Sequence, residues 1–251
     1  MKAVILAAGR GSRMAERTDA KPKCLSLLAG KTLLDWQLEA LRAAGIRDIG
    51  LVRGYRAELL APAGVTLFDN PRWQQTNMVG SLACAAAWLA ADDCIVSYAD
   101  IVYPAASVQA LAAAPGDLVV AYDLDWLRLW QRRFADPLAD AETFRVDAGG
   151  RLTEIGARAA SVAEIMGQYM GLLRFSPRGW KTAADYLARL PAAERDRLDM
   201  TALLRALLAA GVPIATLALR GQWLEVDSGS DLELYERIVA GQGGQLWPLR
   251  A

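Results

Sequence analysis

The stretch "MKAVILAAGRGSRM", residues 1–14, runs from four apolar residues, Ala3 to Leu6, into a small-residue loop holding Gly9 and Gly11, with the cations Arg10 and Arg13 beside them. A strand that ends in glycines before a helix is where α/β sheets take up phosphates. Small residues let backbone N–H groups approach an anion, and the helix N-terminus adds partial positive charge. A tight turn with solvated arginines would use the same residues. The dinucleotide pattern G-x-G-x-x-G fails at its third glycine, because Met14 stands there, and the P-loop's G-K-[ST] is absent.

Outward from this loop, apolar runs alternate with helical periodicity. Strands are expected near Ala3–Leu6, Ile49–Val52, Val65–Phe68, in "CIVSYAD" and in "DLVVAYD", with helices near Leu33–Ala44, Ser81–Ala90 and Ala105–Ala114. This alternation predicts an α/β fold, a mostly parallel sheet flanked by helices. Residues 123–167 change character, with a Gly-Gly turn and an antiparallel look, and are expected to form a small lobe over the sheet's carboxyl edge, on the acceptor side. A strand near Gln168–Phe175, helices near Pro177–Leu190 and Asp199–Ala210, a strand near Ile214–Leu219 and a helix near Asp231–Ala240 follow. Residues 1–251 are taken as one domain.

Composition narrows the function. With 251 residues and 54% apolar content the chain can bury a full core. Its 28 basic and 28 acidic residues cancel, so neither a nucleic acid nor an anionic membrane is expected as partner. The chain has no basic leader and no span of membrane length, which predicts a cytoplasmic protein. Cys24, Cys84 and Cys94 form no C-x-x-C pair and read as free thiols. The absence of histidine removes the usual general base and the commonest zinc ligand. Chemistry must rest on Lys, Arg, carboxylates and metal ions.

The pattern A-A-G-x-G-S-R-M, followed by "KPKCL" at 21–25, resembles the nucleoside-triphosphate transferases. The resemblance implies a Rossmann-like, GT-A-like sheet, and an enzyme that joins a nucleoside triphosphate to a phosphorylated acceptor and releases pyrophosphate. It assigns Ala7, Ala8, Gly9 and Gly11 to the nucleotide's phosphates, with Arg13 and Lys23 as the cations that contact them. The P-K pattern selects Lys23 over Lys21. Fixed cations of this kind stabilise the charge that develops on the attacked phosphorus.

Two carboxylate segments stand out. "VSYADIVY" puts Asp100 just past a buried strand, and "WLEVDSGSDLELY" places Glu225 and Asp227 two apart before a helix. Magnesium favours a few carboxylates together with phosphate oxygens and water, so Asp100 and Asp227 suit it, although either aspartate could instead cap a helix. The family resemblance implies Mg²⁺ at these two residues, with Glu225 as ligand or support.

"WQQTNMVGSLACA" offers Gln74, Gln75 and Asn77 and the Gly80-Ser81 step, which could read a nucleobase or cap a helix. By resemblance Asn77, Gly80 and Ser81 lie beside the base. The ordered motifs "NMVGSL", "YADIVY", "DPLADAETF", "GQYMGL" and "WLEVDSGSDLELY" resemble cytidylyltransferases acting on phosphocholine or 2-aminoethylphosphonate, across almost the whole chain. That implies CTP and a small phosphorylated or phosphonylated amine as substrates. Trp126 and Trp130 fall i, i+4 on one expected helix face, near Asp123 and Asp125, and with Tyr169 they are candidates for the acceptor wall; ordinary packing explains the tryptophan pair equally well. Two alternatives remain at this stage: a hexose-1-phosphate nucleotidyltransferase, and a non-catalytic nucleotide-binding regulatory protein. Oligomeric state is not legible.

Overall fold

The computed structural model describes residues 1–11 and 21–247. β1 (Lys2–Ala7) is buried along nearly its whole length, as a central parallel strand with an unbroken apolar run must be. The hairpin β2 (Leu27–Leu28) and β3 (Lys31–Thr32) leads into α1 (Leu33–Ala43), whose start is fixed by reciprocal capping between Thr32 and Asp35. β4 (Ile49–Arg53) and β5 (Thr66–Asp69) precede α2 (Met78–Ala83) and α3 (Ala86–Ala91). These two replace the single helix expected near 81–90. Bonds of i→i+3 type, from Cys84 N–H to Ser81 and from Ala85 N–H to Leu82, tighten the chain between them.

Next come β6 (Cys94–Tyr98), β7 (Ile101–Val102), α4 (Ala105–Ala113), β8 (Leu118–Asp123) and α5 (Trp126–Arg133). The hairpin β9 (Glu142–Val146) and β10 (Leu152–Arg158) then leads to β11 (Gln168–Phe175). The chain continues through α6 (Pro177–Ala188), α7 (Ala192–Arg197), α8 (Met200–Ala209), β12 (Ala215–Leu219), β13 (Leu224–Glu225) and α9 (Gly229–Gly241).

Seven strands form one sheet in the order β12-β8-β11-β6-β1-β4-β5. β1 pairs in parallel with β4 and β6, β4 with β5, and β8 with β12, whereas β11 runs antiparallel to both β6 and β8. From β1 the chain builds outward to β4 and β5, then returns to β6 on the other side. The reversal opens a crevice at the carboxyl ends of β1 and β6, the position where open α/β sheets receive ligands.

Side-chain alternation divides the core. Ala3, Ile5 and Ala7 join the cluster shared with α1, α4 and α9, and Val4, Leu6 and Ala8 join the cluster shared with α2 and α8. Segment 123–167 is divided the same way. Trp126, Leu129 and Trp130 of α5 belong to the first cluster, and Phe144, Leu152 and Ile155 of the hairpin to the second. Among the described residues no helix is long and apolar enough to cross a membrane.

Candidate active site

The loop after β1 is pinned from the side. Tyr55 N–H donates to the Ala8 carbonyl at 2.9 Å, and Gly54 makes the approach possible, since a Cβ there would lie 2.9 Å from that carbonyl oxygen and 2.6 Å from Trp73 Cβ. Gly11 has φ +68°, and a Cβ on it would meet Lys23 Cβ at 2.9 Å. This glycine is required both for its left-handed conformation and for the lysine stem packed against it.

A cavity of about 290 Å³ opens at the crevice. Of the residues singled out from sequence, Ala7, Ala8, Gly9, Gly11, Lys23, Asn77, Ser81 and Asp100 line it. Arg13 lies outside the described residues. Gly80 sits behind the lining, where its missing side chain lets Thr76 close in, the two being 2.6 Å apart if a Cβ is added. Trp73, Thr76, Met78 and Tyr98 also line the cavity. Buried Asn70 ties this wall together by donating to Thr76 Oγ1 at 3.0 Å and Ser81 Oγ at 3.1 Å. Asn77 caps α2 through Met78 N–H, remains exposed and lines the cavity.

The carboxylates meet through a ribbon that strand periodicity did not reveal. β7 pairs antiparallel with β13, Glu225 opposite Ile101, and Val226 N–H donates to the Asp100 carbonyl at 2.9 Å. Asp100 and Asp227, distant in sequence, thereby flank one lysine. Lys23 Nζ donates to Asp100 Oδ2 and Asp227 Oδ1, both at 2.8 Å. Burial works against its charge, but the two carboxylates outweigh this and hold the ammonium above its ordinary pKa.

Behind the lysine lies Arg133 of α5, with a side chain fully shielded from solvent. It pairs with Glu225 Oε2 at 3.2 Å, Asp227 Oδ2 at 3.4 Å and Asp231 Oδ1 at 2.9 Å. Burial, then the neighbouring Asp227 carboxylate, raise the pKa of Glu225 above the usual carboxylate range. Sequence reasoning did not single out Arg133. It is one of several arginines on an amphipathic helix, and its distinction is burial.

Asp100 and Asp227 are the side chains that could hold a magnesium ion. Asp100 Oδ1 is buried without a hydrogen-bond partner, and Asp100 lines the cavity beside Asp227's lysine. Among the described residues no three acidic or cysteine side chains are grouped to hold an ion by themselves. Mg²⁺ prefers a few carboxylates completed by phosphate oxygens and water; Asp100 Oδ1 is open to such an ion, while Asp100 Oδ2 and both oxygens of Asp227 are engaged by Lys23 and Arg133.

The expected acceptor wall is placed differently. Trp126 and Trp130 are buried in the core and do not line the cavity. Trp130 stacks on Trp223 with centroids 5.3 Å apart, and its Nε1–H donates to Asp140. The i, i+4 spacing marks the apolar stripe of α5, and that stripe packs inward. Asp125 pairs with Arg220 at 3.0 Å, and buried Asp123 accepts from the N–H groups of Asp125 and Gly221, fixing the loop. Tyr169 stands edge-on to the cavity residue Tyr98, centroids 5.8 Å apart.

A family model described as the MobA-like NTP transferase domain matches residues 3–158, which hold the loop after β1, Lys23 and Asp100. The chain belongs to this family. Among relatives of this NTP transferase, the CTP:phosphoglutamine cytidylyltransferase of Campylobacter jejuni is 35% identical over 254 residues, covering 93% of this chain and 98% of that protein. The CMP-5'-(3-aminopropyl)phosphonate synthase of Streptomyces rubellomurinus is 33% identical over 162 residues, 61% of this chain and 24% of that protein. In fold, the chain superposes on the CTP:phosphocholine cytidylyltransferase of Streptococcus pneumoniae with a TM-score of 0.70 at 20% identity, covering 95% and 98% of the two chains.

Proposed function

We propose that this NTP transferase is a Mg²⁺-dependent cytidylyltransferase that moves CMP from CTP to a small phosphorylated or phosphonylated nitrogen compound. The observation that carries the reading is Lys23, at the foot of the phosphate loop and ion-paired to both Asp100 and Asp227. Three separate segments converge there on one phosphate-sized cleft. An anionic oxygen of the acceptor attacks the α-phosphorus of CTP in line. The new O–P bond forms as the bond to the β-phosphate oxygen breaks, and pyrophosphate leaves with the electron pair. The acceptor oxygen is already ionised at neutral pH, so no general base is needed, in keeping with a chain without histidine. Lys23 and the loop N–H groups hold the phosphates and offset the charge that develops on them. Asp100 and Asp227 would hold Mg²⁺, which would supply further positive charge to the phosphate oxygens.

The acceptor class rests on the near full-length similarity to the phosphoglutamine enzyme and on the motif order of the sequence. Burial of both α5 tryptophans removes the Trp126/Trp130 ring faces from the acceptor, although Trp73 and Tyr98 still line the cavity. The similarity to the phosphoglutamine enzyme favours an acceptor nitrogen that forms hydrogen bonds, as in phosphoglutamine or 2-aminoethylphosphonate, over phosphocholine. The unpaired thiols fit a reducing cytoplasm, where the reaction is placed. Pyrophosphate release from each of four nucleoside triphosphates, against phosphoglutamine, 2-aminoethylphosphonate, phosphocholine and a hexose 1-phosphate, tests the reading. Turnover only with CTP and a nitrogen acceptor supports it; preference for the sugar phosphate, or binding without turnover, rejects it.

A further inference from the structure

We propose that Arg133 is a positioning residue that sets the orientation of Glu225 and Asp227, and through them the affinity of the cleft for a divalent cation. This rests on the cytidylyltransferase reading for the purpose of that cation, not for the geometry.

The guanidinium is divided among three carboxylates. Its Nε and Nη2 grip Asp231, at 2.9 and 3.3 Å, while Nη1 reaches Glu225 and Nη2 also reaches Asp227. Asp231 is itself immobilised, because its Oδ2 accepts the backbone N–H groups of Asp227 and Ser228, both at 2.9 Å, within the capping box of α9. A purely structural ion pair would be complete with Asp231 alone. Arg133 is anchored there and presents its remaining edge to the two residues nearer the cleft.

The two oxygens of Asp227 are therefore shared. Oδ1 accepts from Lys23 in the cleft and Oδ2 from Arg133 behind it, so the plane of this carboxylate is fixed from both sides. The arginine is in turn held by aromatic faces, its guanidinium carbon 4.6 Å from the centroid of Trp130 and 5.0 Å from that of Phe134. This gives the buried tryptophan of α5 a connection to the site that does not require it to touch the acceptor. Without Arg133, the carboxylates of Glu225, Asp227 and Asp231 would share the space with Lys23 as the nearest cation on Asp227 alone. Their like charges would drive them apart, and that displacement degrades a metal ligand.

A lysine cannot reproduce the contact. It keeps the charge but loses the planar fork that spans three acceptors.

The test uses the full chain and Mn²⁺ with CTP, without acceptor, so that a mistaken acceptor leaves the result readable. Electron paramagnetic resonance measures free Mn²⁺, and CTP binding is measured separately in EDTA. For Arg133→Lys the expected result is Mn²⁺ affinity weakened about 10- to 100-fold with metal-free CTP binding unchanged, the size typical of losing a group that orients a metal ligand. The half-saturating Mg²⁺ in turnover should rise in step, with the acceptor KM unaffected. Arg133→Met should show a larger loss of metal affinity if it folds; if it does not, the lysine variant carries the test. A lysine variant that lowers the melting temperature but binds Mn²⁺ like the parent would overturn the proposal, as would a parent whose complex with CTP takes up no Mn²⁺. Failure of CMP transfer with normal Mn²⁺ behaviour would instead count against the cytidylyltransferase reading alone.

Discussion

Lys23 carries the strongest demand placed on a single residue here. Its ammonium is buried, which would ordinarily disfavour the charge, yet Asp100 and Asp227 keep it charged next to the glycine loop after β1. Acting chiefly on charge that develops during the reaction, it should matter more to turnover than to folding. Lys23→Ala is expected to lower kcat by about 10²–10³-fold, measured by pyrophosphate release, with a far smaller proportional change in stability measured by thermal unfolding. Near-normal turnover in a folded variant would remove its role. Lys23, Asp100 and Asp227 were legible because the chemistry of each is tied to a local pattern: a Pro-Lys step, and carboxylates at element ends. Arg133 was not, since nothing in "RLWQRRF" distinguishes a buried arginine from a solvated one, and its partners come from the other end of the chain. Trp126 and Trp130 show the complementary limit. Their spacing correctly marks one helix face, but which way that face looks is decided by α9 and Trp223.

Among the elements, those with a long unbroken period were readable and those of two residues were not. β11 occupies the residues expected for it, Gln168–Phe175, because its apolar run is bounded by Gly167 and Ser176-Pro177. The β7–β13 ribbon escaped notice because two residues per strand carry no periodicity, yet its register is what brings Asp227 to Asp100. Equally unmarked was Gly54, whose bare Cα lets both Trp73 and the carbonyl of Ala8 approach it closely. Alanine at this position is expected to push Trp73 and the loop apart, raising the KM or Kd for CTP while the acceptor KM stays near the parental value. Equilibrium binding of CTP and steady-state kinetics would check this. Unchanged CTP affinity would mean that the close approach at Gly54 has no bearing on the nucleotide.

At the scale of the molecule, the cleft belongs to both ends of the chain. The segment matching the family model supplies the loop after β1, Lys23, Asp100 and Arg133, and the last strands and α9 supply Glu225, Asp227 and Asp231. The same sheet that joins them buries two thiols. Burial first, and nearby carboxylates second, push Cys24 and Cys94 up from 9.0 to about 12. The unfolded chain therefore loses these protons first. Stability from the neutral thiols is complete below the ordinary thiol pKa and declines as pH rises above it. Melting temperature should fall between pH 8 and 10, and Cys94→Ala should flatten that slope whatever it does to absolute stability; an unchanged slope would contradict it. The central claim is that this assembly joins CMP to a phosphorylated nitrogen compound. It is tested most directly by incubating the protein with CTP, Mg²⁺ and phosphoglutamine or 2-aminoethylphosphonate and reading the product by ³¹P NMR and mass. The expected result is a pair of coupled phosphorus signals from a CMP-linked acceptor, in amounts equal to the pyrophosphate released. CTP recovered intact with every nitrogen acceptor, or a nucleotide sugar formed from a hexose 1-phosphate instead, would contradict it.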